Sequence, residues 1–308
     1  MCDIIGDIHG HANALINILE KLGYDCSKNH YSHPHRKIIF VGDFIDRGKQ
    51  IRETLELVRP MVENGAAFAV MGNHEFNAIM YHTRNPNDNN SYLRKHNKKN
   101  TGQHAATLSQ LSPEEISEYI EWFKTLPLWL DLDGLRVVHA CWDFNAIKTI
   151  GEYLKISGTF DEFLLLAAKK GSKIYQSVED THKGKEIPLP EDISFEDKDG
   201  NKRKDIRVKW FYSGENKTYA DFAFSPTEGI PDVEIPHEVI KNIQFYPLSK
   251  RPVFCGHYWL SDAEPSKLTD NIACLDYSVA KDGFLCAYRW HGEKRLNNRN
   301  FVTTKNYI

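Results

Sequence analysis

The sequence predicts an α/β fold built on a mainly parallel sheet. Three observations lead there. The apolar runs "CDIIG", "RKIIFVG" and "AAFAVMG" each end on glycine. Each is followed by a segment with helical spacing. Strand and helix thus alternate three times over roughly the first 80 residues, the pattern of βαβ units.

Taken in order, "CDIIG" reads as a buried strand closing on Gly6. "HANALINILEKLG" carries Leu15, Ile16, Ile18, Leu19 and Leu22 on one helical face, with Gly23 as a stop. "RKIIFVG" is the second strand, and "IRETLELVRPMVENG" a helix expected to bend at Pro60. "AAFAVMG" is the third strand and "HEFNAIMYH" the next helix. Residues 84–104 are polar and lack periodicity, so they read as a loop or mobile lid. In "SPEEISEYIEWFKTLP", Ser112 is an N-cap, Pro113 the first helical residue and Glu115 the reciprocal capping partner. "LWLDLDGLRVVHA" reads as a hairpin across Asp133-Gly134. Residues 144–250 hold an apolar helix, "FDEFLLLAAKKG", then a charged stretch bearing proline and glycine. They are expected to form an insertion over a single domain spanning residues 1–308, with 196–207 as a solvated hairpin. Strands resume at "KRPVFCGHYWL", "NIACLDYS" and "FLCAYRWHG".

Composition narrows the function classes. The 308 residues are 41% hydrophobic and 26% charged, as in ordinary globular proteins. A net charge of −3 leaves no polybasic footprint, which makes nucleic-acid binding unlikely. "MCDIIGD" is too short an apolar run for a secretory signal, and no run has membrane-spanning length. The six cysteines show no CxxC spacing and mostly sit in apolar stretches, which suggests buried thiols in the cytoplasm.

Five stretches carry the chemistry: "IIGDIHG", "FVGDFIDRG", "AVMGNHE", "RVVHAC" and "VFCGHYW". Each puts a polar ligand type directly after an apolar run. In an α/β sheet the carboxyl ends of strands converge on one edge, where ligands bind. Asp7, His9, Asp43, Asn73, His139 and His257 would meet there. A single Asp or His at a strand end usually caps a loop; six in sequence do not. Three oxygen donors and three imidazoles suit two divalent transition metals (Mn, Fe or Zn) better than Mg²⁺ or Ca²⁺. His30, His33 and His35 precede their strand instead, and read as a solvated loop.

The motifs GDIHG (6–10), GDFIDRG (42–48), GNHE (72–75), VHA (138–140) and GH (256–257) resemble the calcineurin-like metallophosphoesterases. The resemblance is nearest to bacterial members of the phosphoprotein phosphatase and symmetrical dinucleoside tetraphosphatase branch. It implies a two-sheet α/β sandwich flanked by helices. Asp7 and His9 would hold one metal, Asp43 would bridge both, and Asn73, His139 and His257 would complete the second. Arg47 and Asn73 would hold phosphate oxygens. His74, oriented by Asp46, would protonate the leaving oxygen. Paired cations neutralise phosphoryl charge and activate water, and a histidine is the natural proton donor near neutral pH.

Two departures refine this. Related diesterases end in GHxH, whereas "GHYW" has Trp259 in place of the second histidine. "LDYSVAKDG" offers Tyr277 as a substrate contact, and Arg207, with Arg203, stands in for a second phosphate arginine. The implied function is two-metal hydrolysis of a phosphomonoester on a protein or small molecule. The alternative is a bis(5'-nucleosyl)-tetraphosphatase. A silent regulatory protein would not need Asp46, Arg47 and His74, and the missing histidine speaks against a nuclease. The expected partner is a phosphorylated substrate and not a membrane.

Overall fold

A computed structural model describes residues 1–27, 29–157, 159–196, 200–225 and 228–305. Two sheets stack face to face. The first contains β1 (Cys2–Ile5), β2 (Lys37–Phe40) and β3 (Ala67–Ala69), all parallel. The second is built from β4 (Trp129–Asp131), β5 (Arg136–Val138), β6 (Val253–Cys255) and β7 (Ile272–Cys274), in the order β7-β6-β5-β4. The chain then returns to the first sheet with β8 (Asp276–Tyr277), β9 (Phe284–Trp290) and β10 (Phe301–Thr303). β9 lies antiparallel to β1, and both β8 and β10 pair with β9.

The period-2 alternation of strand side chains builds the layers. Ile4, Ile39 and Val41 face inward against Val137, Phe254 and Ala273 of the second sheet. Their neighbours Ile5, Ile38 and Phe40 face outward, against Leu15 and Leu19 of α1 (Ala12–Lys21) and Leu55 and Val58 of α2 (Ile51–Glu63). Burying each such side chain contributes about 1.5–3 kcal/mol. α2 runs through Pro60 as one helix. α3 (Asn73–His82) follows β3 directly. The sandwich inferred from the motifs is therefore the fold, and among the described residues no helix is long and apolar enough to cross a membrane.

One stretch differs from expectation. Residues 84–104 are not a loop. Arg84–Asn85 pairs with Asp88–Tyr92, and α4 (Lys98–Gln110) follows. Asn97 caps it by accepting from the Asn100 N–H at 2.9 Å. Its buried residues are His104 and Thr107, so its inward face is polar and shows no hydrophobic period. The next helix, α5 (Pro113–Lys124), has the expected reciprocal cap between Ser112 and Glu115.

Within 144–250, three helices come first: α6 (Phe144–Ser157), α7 (Phe160–Ala168) and α8 (Lys173–Lys183). Ile150, Phe163, Leu164 and Val178 join the main core beside Phe76 and Ile79. Farther on, Ile187, Ile206, Val208, Phe222 and Ile235 close a small core of their own. Phe195–Glu196 pairs with Lys202–Arg203 as a hairpin, whose residues 197–199 lie outside the described residues, but Asp205–Arg207 pairs with Glu186–Pro188 instead, so the hairpin expected over 196–207 ends at Arg203. On the outer face of the second sheet, Val253, Cys255 and Cys274 pack on Trp210, Phe211 and Tyr246.

Candidate active site

Parallel strands in register end together. Ile5 pairs with Phe40, and Phe40 with Ala69, so the turns after β1, β2 and β3 meet at one edge. The turns after β5 and β6 come to the same edge: the Gly256 N–H donates to the His139 carbonyl at 2.8 Å, and the His257 N–H donates to Asp7 Oδ2 at 2.9 Å. Sharp turns hold the side chains inward. His9, Asp43, Asp46, Arg47, His257 and Trp259 all have φ between 46° and 74°, a region costly for residues with a Cβ. Such strain persists where the surroundings enforce it, and it clusters at functional sites.

All six expected ligands converge. Asp43 Oδ2 lies 3.4 Å from His139 Nε2 and 3.5 Å from His9 Nε2. Asn73 Oδ1 lies 3.0 Å from His139 Nε2 and 2.8 Å from His257 Nδ1. The imidazoles are fixed from behind: Nδ1 of His9 donates to the Ile45 carbonyl at 2.9 Å, and Nδ1 of His139 to that of Val41 at 2.8 Å. Their Nε2 atoms therefore point into the site.

A divalent metal fits these residues on one observation. Asp7 Oδ1, His9 Nε2 and His257 Nε2 are buried and have no hydrogen-bond partner among the described residues. Buried polar atoms are nearly always satisfied, so lone pairs left bare at one strand edge call for a cation. Two overlapping groups have ligand atoms within 4.8 Å of one another: His9, Asp43 and His74, and Asp43, His139 and His257. Asp43 belongs to both. Burial drives His9 down to about 3 and holds His257 well below its ordinary range, so both are neutral with lone pairs available. Burial, then the nearby Asp276, raises Asp7. Burial alone would lower His139, but Asp43 overrides it and pushes it up to about 10, so a proton takes the place a cation would fill.

Beside this cluster sits a second network. His74 Nδ1 donates to Asp46 Oδ2 at 2.6 Å. Asp46 Oδ1 accepts from His104 Nδ1 at 2.7 Å and from Thr107 Oγ1 at 2.6 Å. Burial opposes charge on Asp46, yet the hydrogen bonds from His104 and His74 hold it well below the usual carboxylate range. Burial likewise works against protonated His74, but Asp43 and Asp46 outweigh it and its pKa is raised.

Sequence reasoning missed several partners. Glu75, fully buried, accepts from the N–H groups of Asp43 and Phe44, both at 2.8 Å, and of Gly72 at 3.0 Å. It thereby fixes the turn that carries Asp43. Its place at the third position of α3, after a capping glycine, was the available signal. Asp276 accepts from the Trp259 N–H at 2.7 Å and ends an apolar run like the other site residues. His104 and Thr107 gave no signal beyond the Asn97 cap.

A cleft of about 460 Å³ opens from the two networks. Arg47 lines it with its guanidinium 4.1 Å from the Trp259 ring centre, and Arg203 and Arg207 line its wall. Arg207 Nε lies 3.5 Å from Glu186 Oε1. Tyr277 is not in the cleft. It is buried in the core between the sheets, stacked on Phe284, and its hydroxyl accepts from the Ser266 N–H at 2.9 Å. The site reading for Tyr277 is corrected accordingly: consecutive strand residues face opposite sides, and Asp276 takes the site side.

A two-sheet sandwich with this His/Asp cluster at its strand edge defines a metallophosphoesterase. The calcineurin-like phosphoesterase family matches residues 3–258, and the chain belongs to that family. Calcineurin-like phosphoesterases are hydrolases that bind divalent metals. Among curated relatives, the asymmetrical bis(5'-nucleosyl)-tetraphosphatase PrpE of Oceanobacillus iheyensis is 32% identical over 170 residues, which is 52% of this chain and 66% of that one. PrpE of Halalkalibacterium halodurans is 37% identical over 145 residues, 45% of this chain and 56% of that one. The matches thus span less than two thirds of either relative. A serine/threonine phosphatase structure from Saccharomyces cerevisiae aligns over 98% of this chain and 78% of its own, with 13% identity and a TM-score of 0.44.

Proposed function

We propose that this chain hydrolyses phosphomonoesters with two divalent transition metals, Mn, Fe or Zn, held by Asp7, His9, Asp43, Asn73, His139 and His257. When bound, such ions neutralise phosphoryl charge and supply an activated water. The chain's own residues do the rest. Arg47 and Asn73 hold phosphate oxygens, the arginine through its planar fork. His74 donates a proton to the leaving oxygen and Asp46 orients it. The observation that carries this reading is the buried His74–Asp46 pair, 2.6 Å apart beside the ligand cluster. A departing alkoxide needs that proton, whereas a departing phosphate, already a stable anion, needs it far less.

A second reading, hydrolysis of dinucleoside polyphosphates, is favoured by the names of the relatives and by the cleft. Its 460 Å³ is the size that takes a nucleotide-sized ligand, and Arg94, Lys99, Arg203, Arg207 and Lys281 line it beyond Arg47. Turnover of p-nitrophenyl phosphate, its bis-ester, phosphopeptides and diadenosine tetraphosphate, with Mn²⁺ added, decides between the two. In either case kcat/KM should favour the monoester over the bis-ester, because Trp259 stands where diesterases carry a histidine. A preference for the bis-ester would overturn the assignment to this branch.

We assign substrate choice to residues 144–250, as an insertion within one domain of 1–308. Arg203→Ala and Arg207→Ala are each expected to raise KM for the preferred natural substrate about tenfold, the loss of one charged hydrogen bond. KM for p-nitrophenyl phosphate should change much less. Equal shifts on both would leave the insertion a structural role only.

A further inference from the structure

We infer that His104 is a positioning residue for the reaction: together with Thr107 it clamps Asp46, and through Asp46 sets the direction in which His74 delivers its proton. The inference rests on the reading of His74 as proton donor and extends the site to α4.

The hydrogen-bond pattern is asymmetric. An ionised carboxylate only accepts, so Nδ1 of His74 and Nδ1 of His104 both carry protons toward Asp46. Among the described residues Oδ2 is spent on His74 alone, at 2.6 Å. Oδ1 takes two donors, His104 Nδ1 at 2.7 Å and Thr107 Oγ1 at 2.6 Å. Thr107 Oγ1 also accepts from the Asp46 N–H at 3.0 Å, so it grips backbone and side chain together. The terminal carboxylate torsion is broad in an unrestrained Asp. Here three donors fix it, and the ring they aim is that of His74.

His104 is itself held. With its Nδ1 proton directed to Asp46, its Nε2 hydrogen-bonds His82 Nε2 at 3.2 Å. The ring lies 5.4 Å from that of Tyr81. His82 and Tyr81 belong to α3, the helix that begins with Asn73 and His74. α3 thus supplies the proton donor at its first turn and the brace for that donor's carboxylate at its last. α4 does not depend on His104 for its seat. Gln110 anchors it by donating to the Gly48 carbonyl at 2.9 Å and accepting from the Ile51 N–H at 2.8 Å.

The test compares His104→Leu, His104→Asn and Thr107→Val on two substrates with different leaving groups. Asn places an N–H near the position of Nδ1, and Leu does not. For His104→Leu, kcat on phosphoserine should fall about 10- to 100-fold, the range expected for misplacing a reacting group by up to 1 Å. On p-nitrophenyl phosphate the fall should be under about threefold, since p-nitrophenolate needs little protonation. KM and bound metal should stay near those of the parent protein. His104→Asn should restore most of the phosphoserine rate. Thr107→Val, which removes the other donor, should show the same substrate split more weakly and keeps the test open if His104→Leu folds poorly. Equal losses on both substrates, no loss, or no rescue by Asn would overturn the inference. His74→Asn run alongside separates the failures. If it discriminates between the substrates and His104→Leu does not, only the role of His104 falls. If it does not discriminate, the proton-donor reading falls and this inference with it.

Discussion

Asp43→Asn is expected to reduce bound metal from close to two equivalents to less than one, and to cut kcat on p-nitrophenyl phosphate about a thousandfold. Asp43 is the residue common to both ligand groups. One oxygen sits 3.4 and 3.5 Å from the imidazoles of His139 and His9. The other accepts the His74 N–H at 2.9 Å. An amide keeps the volume but replaces one oxygen with a donor and removes the charge. With its NH2 toward the imidazoles, a ligand atom would be lost to both groups that share Asp43. With its NH2 toward His74, donor meets donor. Bound metals would supply several kcal/mol of charge stabilisation, and about 4 kcal/mol corresponds to a factor of a thousand. The fold should survive, because Asn tolerates the left-handed backbone at this position, where φ is 55°. Metal analysis of protein purified without chelator, with kcat on the same preparation, checks this. A variant with full metal and full activity would remove Asp43 from the bridging position.

The strand-end residues were legible because each follows a short apolar run that can only be a buried strand. Co-terminating parallel strands then bring them together without further information. What escaped notice depended on partners remote in sequence. Glu75 holds the turn after β2 from the first turn of α3; its capping contact to Gly72 is local, but nothing local marks it as the acceptor for three distant N–H groups, those of Asp43, Phe44 and Ile45. α4 was invisible because hydrophobic periodicity detects apolar faces, while the face it buries carries His104 and Thr107. Tyr277 was drawn to the site by the family resemblance, through the stretch "LDYSVAKDG". The pleat decided otherwise and sent Asp276, not Tyr277, toward Trp259. Arg203 and Arg207, named without a motif to guide them, do line the cleft, because their strands fold back over it.

His74→Asn is expected to keep both metals and lose about 10²–10³ in kcat on phosphoserine, while losing less than about tenfold on p-nitrophenyl phosphate. The argument begins from the two sides of the ring. Nδ1 is bound to Asp46 at 2.6 Å, which leaves Nε2 as the atom facing the ligand cluster. Nε2 lies 4.0 Å from Asp43 Oδ2, beside the ligand cluster and farther from that oxygen than the Nε2 atoms of His9 and His139. A proton held there is available to an oxygen leaving the phosphorus atom. Asp43 and Asp46, acting against burial, raise the pKa of His74 and so favour the protonated ring. Its benefit scales with the basicity of the leaving oxygen, which is high for serine alkoxide and low for p-nitrophenolate. Asp46→Asn should move both rates in the same direction by less, since His74 remains but loses its charged partner. Metal content is the discriminating measurement, because His74 also falls within ligand reach of His9 and Asp43. If His74→Asn loses one metal equivalent and slows both substrates alike, the imidazole is a ligand, and the proton must reach the leaving group from elsewhere.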